Sequence, residues 1–486
     1  MKNFVWGAAT AAYQIEGGTL EGGRGYSIWD AFCRIPGRVH AMANGDVACD
    51  SYHRVEEDVR MLKLLGVNAY RFSIAWPRIQ PGGRGAPNPE GIAYYNKLID
   101  LLLANGITPF VTLYHWDLPL DLQMAHDGWL NREIVDDFTA YATLCFDAFA
   151  DRVKHWITLN EPWCCAVLGH GLGVFPPGRT DPDEPYLVAH HMLLAHAGAV
   201  RAFRERGSDG VIGITNNCDW REPLTQKPED REAAERAVEF FYAWFADPVV
   251  FGEYPEVMRK RLGARLPEFT EEQKTLMKGS ADFLGLNHYS TLYASAEKPE
   301  VDAGIGPNGN GGMSDDQEVF LSADPAWERT DMQWNILPWG FRKLLNWIAD
   351  RYPGYPIYVT ENGCACREPD AVSALDDDQR CRFLKSYTDA MFEAVRTDGV
   401  DVRGYFCWSL MDNFEWAQGY TKRLGLIRCS PDNLERVPKR SFFTYREIIR
   451  KNPSVLPASA GARSAEHSAA DTGNPTARNP EKGEGR

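Results

Sequence analysis

The sequence predicts an α/β chain closed into a single (β/α)8 barrel, and three observations predict it. Short β-branched and apolar runs alternate with longer segments of helical period, the pattern of parallel strands joined by helices. Eight such runs can be drawn, the number that closes a barrel of the TIM type. Most of the runs end on amides, carboxylates or aromatic residues, which such a barrel gathers around one mouth built from long βα loops.

In chain order the strands are drawn at 4–9, 67–74, 108–115, 155–160, 211–217, 282–287, 357–361 and 402–409. The first leads toward Gln14, and Arg71 lies near the end of the second. The third ends at His115-Trp116 and the fourth at Asn160-Glu161. The sixth ends at Asn287-His288-Tyr289, the seventh at Glu361-Asn362 and the eighth at Trp408, with Asn413-Phe414-Glu415-Trp416 beyond it.

Helical period joins the strands. Val59, Leu62 and Leu65 recur before Gly66, and Ile92, Tyr95, Leu98, Ile99 and Leu102 recur before Asn105-Gly106, a left-handed cap. Asp377 to Val395 repeats the pattern with Phe383, Leu384, Tyr387 and Met391. The glycine-rich stretch 298–331 reads as a long mobile loop after the sixth strand, on the mouth side. From about Ala458 large apolar residues nearly vanish. The expected division is a catalytic barrel over 1–455 and a disordered tail over 456–486.

Bulk properties narrow the partners. Hydrophobic residues at 44% supply ample core, and 15 tryptophans offer planar surfaces for a ligand to stack on. A formal charge of −15 argues against nucleic acid or an anionic membrane. No apolar run approaches the roughly 20 residues that span a bilayer, and the chain opens on a strand rather than a signal peptide. Eleven cysteines, odd in number and irregularly spaced, fit free thiols in a reducing compartment, so the expected location is cytoplasmic. Neither Cys164-Cys165 nor Cys364-Ala365-Cys366 is accompanied by paired CxxC sets or matching histidines, and no metal or cofactor is expected. His190-His191 and His196 lie on one helix at offsets that do not share a face.

The strand ends carry the chemistry. Amides, an imidazole, carboxylates and indoles suit a sugar ring, whose hydroxyls need planar hydrogen-bonding partners and whose C–H faces stack on aromatic rings. Glu161 and Glu361 each follow a buried run and precede a turn former. Two carboxylates converging on one mouth are the minimal machinery for cleaving a glycosidic bond. Singly, each residue has a plainer reading: a strand-end glutamate as an ion-pair partner, His115 as a core histidine, Trp408 as packing, Asn362-Gly363 as a turn. Their joint placement at one end of several strands favours a site.

Six motifs in order resemble glycoside hydrolase family 1 across nearly all of residues 3–452. They are the run Phe4-Val5-Trp6-Gly7-Ala8-Ala9 continuing to Gln14-Ile15-Glu16-Gly17, Arg71-Phe72-Ser73-Ile74-Ala75-Trp76-Pro77-Arg78, Tyr114-His115-Trp116-Asp117-Leu118-Pro119, Thr158-Leu159-Asn160-Glu161-Pro162, Tyr358-Val359-Thr360-Glu361-Asn362-Gly363 and Trp408-Ser409-Leu410-Met411-Asp412-Asn413-Phe414-Glu415-Trp416. The resemblance implies a retaining β-glycosidase, foremost a β-glucosidase acting on a small β-glycoside or oligosaccharide, with a role in polysaccharide or cellulose degradation. It implies Glu161 as general acid/base and Glu361 as nucleophile. Arg71 and Tyr289 are expected to hold Glu361 ionised. By the same resemblance Gln14, His115, Asn160, Glu415 and Trp416 grip the glycone, Asn160 at the 2-hydroxyl, with Trp408 as stacking floor and Trp334 as aglycone platform. Asn287 and Tyr289, at the end of the sixth strand, join the substrate-binding set.

Rival expectations stay in view. A phospho-β-glycosidase typically carries serine at the Glu415 position, followed by a lysine and tyrosine for the phosphate; here Glu415 is expected to repel a 6-phosphate. A non-catalytic sugar-binding domain loses one carboxylate, and both are present. A transglycosylase, a β-galactosidase or a β-fucosidase would use the same residues. Leu120, Cys165, Phe175-Pro176 and Leu424 depart from the family pattern and blur glycone and leaving-group preference. Oligomeric state is left open.

Overall fold

The computed structural model describes residues 4–299, 314–430 and 432–452. Eight parallel strands close a barrel: β1 (Val5–Ala9), β2 (Ala69–Ser73), β3 (Thr108–Tyr114), β4 (His155–Asn160), β5 (Val211–Asn217), β6 (Leu284–Asn287), β7 (Ile357–Asn362) and β8 (Val402–Trp408). Each strand pairs with its neighbours in the sequence of strands, and β8 closes on β1. All eight lie where the sequence puts them, with ends shifted by at most two residues.

Period-two alternation divides each strand between two cores. Val5 and Ala9 of β1, Phe110 of β3, Ile157 of β4, Tyr358 of β7 and Phe406 of β8 pack together inside the barrel. Trp6, Val111, Trp156, Val359 and Tyr405, one residue out of phase, pack outward under the helices. The expected helices form as α1 (Val55–Leu65), α2 (Pro89–Ala104) and α4 (Asp378–Arg396), with α3 (Glu184–Glu205) carrying the three histidines, all buried. Gly66 ends α1 in the left-handed conformation at φ +83°, and its N–H bonds the carbonyls of Leu62 and Lys63.

The described part of the stretch after β6, from residue 314, is more structured than a mobile loop. Phe320–Ser322 pairs antiparallel with Thr291–Ser295, which in turn pairs with Trp220–Pro223, so a three-stranded sheet flanks the mouth. Residues 300–313 of that stretch, and the tail expected over 456–486, lie outside the described residues.

Strand register sets the height of each mouth residue. Ala9 pairs with Arg71 on one side and Trp408 on the other, Asn287 pairs with both Glu361 and Asn217, and Asn160 pairs with Thr215. Register slips fall between Ile157 and Asn160 and between Val359 and Glu361. Such irregularities re-aim the side chains that follow them.

Candidate active site

Glu161 directly follows β4 at φ +47°, a left-handed conformation that costs a residue with a Cβ about 1–2 kcal/mol. Its N–H bonds the Thr215 carbonyl at 2.8 Å, and its carbonyl accepts from Cys164 N–H at 2.9 Å. The chain then enters a wide π-helical segment, Cys164–Gly171. Trp116 at φ +75° and Trp416 at φ +47° show the same enforced kink at the mouth. Gly363 answers a different need from a turn: a Cβ there would sit 1.8 Å from the Trp408 carbonyl oxygen. Glycine lets the end of β7 lie against β8.

Behind the mouth, Arg71 ties four strands together. Its Nε donates to Thr112 Oγ1 at 3.2 Å, Nη1 to the Thr360 carbonyl at 3.1 Å and to Glu361 Oε1 at 2.6 Å, and Nη2 to Asn160 Oδ1 at 2.6 Å. Tyr289 donates its hydroxyl to the other oxygen of Glu361 at 2.7 Å. Asn287 Nδ2 donates to Glu161 Oε1 at 2.6 Å and to Asn160 Oδ1 at 3.1 Å, and its own Oδ1 accepts from Thr360 Oγ1 at 2.7 Å. Asn160 Nδ2 donates to His115 Nε2 at 3.0 Å. Burial and the Arg71 charge keep His115 neutral, so its proton sits on Nδ1.

The two carboxyls are tuned apart. Burial pushes Glu161 up to about 8, and the charge of Glu361 adds to it. Burial raises Glu361 too, but the Arg71 guanidinium and the Tyr289 hydroxyl pull it back. Glu361 therefore ionises first and Glu161 keeps its proton near neutrality. Glu415 is also pushed to about 8, by burial and then by Glu361 and Glu161. Burial and its carboxylate neighbours thus favour the protonated form of Glu415. Glu161, Asp219, Glu361 and Glu415 line the cavity, and no lysine or arginine does so among the described residues.

The cavity measures about 260 Å³. Nine residues expected at the site line it: His115, Glu161, Asn287, Tyr289, Trp334, Glu361, Trp408, Glu415 and Trp416. Gln14, Arg71 and Asn160 stand fully buried and outside its lining. Gln14 lies not on β1 but on the short helix Ala12–Ile15, donating to Asn413 Oδ1 and the Phe414 carbonyl. Gln14 Oε1, His115 Nδ1 and Glu415 Oε2 are buried without a protein partner. His115 and Glu415 are cavity-lining residues, so these two unpaired polar atoms lie at the cavity wall. His115 lies nearly parallel to the Trp408 and Trp416 rings, at 5.9 and 6.0 Å between centroids. Trp334 leans on Tyr289 at 4.9 Å.

Sequence reasoning passed over Trp163, Cys164, Asn217, Asp219, Phe241 and Met332 as wall residues. Asn217 ends the fifth strand and Asp219 lies two residues beyond it, so the strand-end rule applied there finds them. Phe241 arrives on a helical segment and packs at a tilt against Trp163, 4.6 Å between centroids, which no local signal announces.

Known proteins resemble this chain over most of its length. The sequence profile of Glycosyl hydrolase family 1 matches residues 1–454. "Beta-glucosidase 42" of Arabidopsis thaliana is 49% identical over 463 residues, covering 92% of this chain and 93% of that one. A mutant rice β-glucosidase in a covalent complex with Glc superposes with a TM-score of 0.88 at 44% identity, over 94% of this chain and 98% of that one. A β-glucosidase from the fungus Humicola insolens in complex with glucose gives 0.87 at 45% identity, over 92% and 98%.

Proposed function

The chain belongs to glycosyl hydrolase family 1, hence is a retaining β-glycosidase, and from that premise we propose that it is a β-glucosidase releasing terminal β-D-glucosyl residues, with Glu361 as nucleophile and Glu161 as acid/base. The observation that carries the residue roles is the asymmetry between the carboxyls: Glu361 is gripped by Arg71 and Tyr289, whereas Glu161 is pushed to about 8.

The reaction runs in two displacements. Ionised Glu361 attacks the anomeric carbon; the bond to the leaving oxygen breaks as Glu161 gives that oxygen its proton. A covalent glucosyl-enzyme results, the state captured in the rice relative. Glu161, now a carboxylate, takes a proton from water; the water oxygen bonds the anomeric carbon and the bond to Glu361 breaks, releasing β-glucose. The two displacements draw on carboxyls alone and call for no cofactor. Trp408 is assigned the stacking floor, Trp334 the aglycone platform, and His115, Glu415 and Trp416, with Gln14 behind them, the glycone hydroxyls. Asn160, oriented by Arg71 and Asn287, is assigned the 2-hydroxyl.

The eleven unpaired thiols support a reducing compartment such as the cytoplasm, and cellulose-derived oligosaccharides are the proposed source of substrate. No helix among the described residues is long and apolar enough to cross a membrane. A panel of p-nitrophenyl β-glycosides, the glucoside 6-phosphate and cello-oligosaccharides, with product anomers followed by NMR, tests the proposal. β-Glucose as first product, with the unphosphorylated glucoside preferred, supports it. Net inversion, or preference for the phosphate, overturns it.

A further inference from the structure

The segment after β4 turns Cys164 back onto Glu161. Its thiol donates to Glu161 Oε2 at 3.1 Å and accepts from Asn217 Nδ2 at 3.4 Å. Among the described residues, Cys164 and Asn287 are the hydrogen-bond partners of that carboxyl, one on each oxygen. Resting on the reading of Glu161 as proton donor and acceptor, we propose that Cys164 is a positioning residue whose thiol fixes the proton on Oε2 and accommodates both charge states of Glu161.

Donor chemistry singles out the oxygen. The Asn287 amide offers only N–H at its nitrogen, so at 2.6 Å it occupies Oε1 as acceptor and leaves Oε2 to bear the proton. The partner on Oε2 then faces opposite demands in the two displacements. While Glu161 is protonated, the partner must accept; once the proton has gone to the leaving oxygen, it must donate. A thiol is both a weak donor and a weak acceptor and meets either demand by turning its S–H. An aliphatic side chain meets neither. A weak donor also suits the task, because a strong one would hold Glu161 ionised and spoil it as an acid.

Other charges act on Glu161 from around the mouth: Glu361 on β7, Glu415 beyond β8, Tyr289 beyond β6 and Arg71 on β2. Cys165 lies beside it, and Asp219 lines the same cavity beyond β5. None of these touches Oε2, so changing Cys164 leaves their positions as they are.

The test compares Cys164→Val, Cys164→Ala and Cys164→Ser for the pH dependence of kcat/KM on p-nitrophenyl β-glucoside. Working sites are counted with 2,4-dinitrophenyl 2-deoxy-2-fluoro-β-glucoside, from which Glu361 displaces dinitrophenolate without needing a proton, so misfolded enzyme drops out. Removing a donor from the ionised carboxyl raises its pKa; the basic limb should move up by about half a pH unit or more in the valine and alanine variants. In Cys164→Ser it should sit at or below its original position, with KM changed less than about twofold in all three. A limb that stays put in the valine and alanine variants while kcat falls at every pH makes Cys164 a packing residue and overturns the proposal, as does an upward shift in the serine variant. Glu161→Gln separates this failure from the other: if the limb survives that substitution, it is the role of Glu161 that falls.

Discussion

Nη1 of Arg71 lies 2.6 Å from Oε1 of Glu361, and both side chains are almost wholly shut off from water. Arg71 reaches past Glu361 to Asn160, so one guanidinium fixes both the charge of the proposed nucleophile and the amide assigned to the 2-hydroxyl. Tyr289 completes the grip from the far oxygen at 2.7 Å. A hydrogen bond to a charged group contributes about 1.5–3 kcal/mol, so Tyr289→Phe should lower kcat/KM on p-nitrophenyl β-glucoside by roughly 10- to 150-fold. A loss under about threefold would mean that the hydroxyl does not help Glu361.

The pH profile should report Glu161. Its carboxyl, raised to about 8, works as an acid while it is protonated, so activity persists below that value and falls as pH rises through it. The expected basic limb of kcat/KM lies near pH 8. Glu161→Gln should abolish that limb on p-nitrophenyl β-glucoside, whose nitrophenolate leaves readily enough for the residual activity to be followed. Glu415 is raised to a similar value, and a limb that persists in Glu161→Gln and vanishes in Glu415→Gln would assign the titration to Glu415.

Much of this arrangement is legible in the sequence because buried parallel strands write themselves as short apolar runs, and their polar ends mark the mouth. His115, Asn160, Asn287 and Glu361 all declare themselves that way. Other parts depend on contacts between distant segments. The left-handed kink at Glu161 is imposed by its bond to Thr215 on the next strand, and Cys164 looks like a helix filler until that kink turns it inward. The sheet formed by Trp220–Pro223, Thr291–Ser295 and Phe320–Ser322 joins three runs too short to show a period. Gly363 looks like a turn glycine, yet it is the approach of β8 that excludes a side chain.

Trp334 should matter for the leaving group more than for glucose. It leans on Tyr289 at the cavity wall and is assigned to the aglycone. An aromatic contact adds about 0.5–1.5 kcal/mol beyond its buried area, so Trp334→Ala should raise KM for aryl β-glucosides about 3- to 10-fold with kcat little changed. Equal losses for aryl and methyl β-glucosides would return Trp334 to a loop-packing role.

A buried ion network supports the mouth from behind. Lys439 Nζ contacts Glu368 at 2.7 and 2.8 Å and Asp412 at 2.8 Å, joining the segment after β7 to the one that leads to Glu415. Arg380 also reaches Glu368 at 3.1 Å, but the other cation near Asp412 is Arg423 at 3.9 Å, so removing Lys439 leaves buried carboxylate charge under-compensated. Lys439→Met should lower unfolding stability by about 3–5 kcal/mol in a denaturant titration. An unchanged midpoint would show that the network is not holding these segments.

The division of labour between Glu361 and Glu161 is tested most directly by replacing Glu361 with glycine and supplying azide. With the nucleophile gone and Glu161 intact, azide enters from the vacated face of a 2,4-dinitrophenyl β-glucoside, and activity should return with α-glucosyl azide as the product by NMR. Recovery of the β-azide from that variant, or no rescue by azide or formate, would contradict Glu361 as the residue that bonds the sugar.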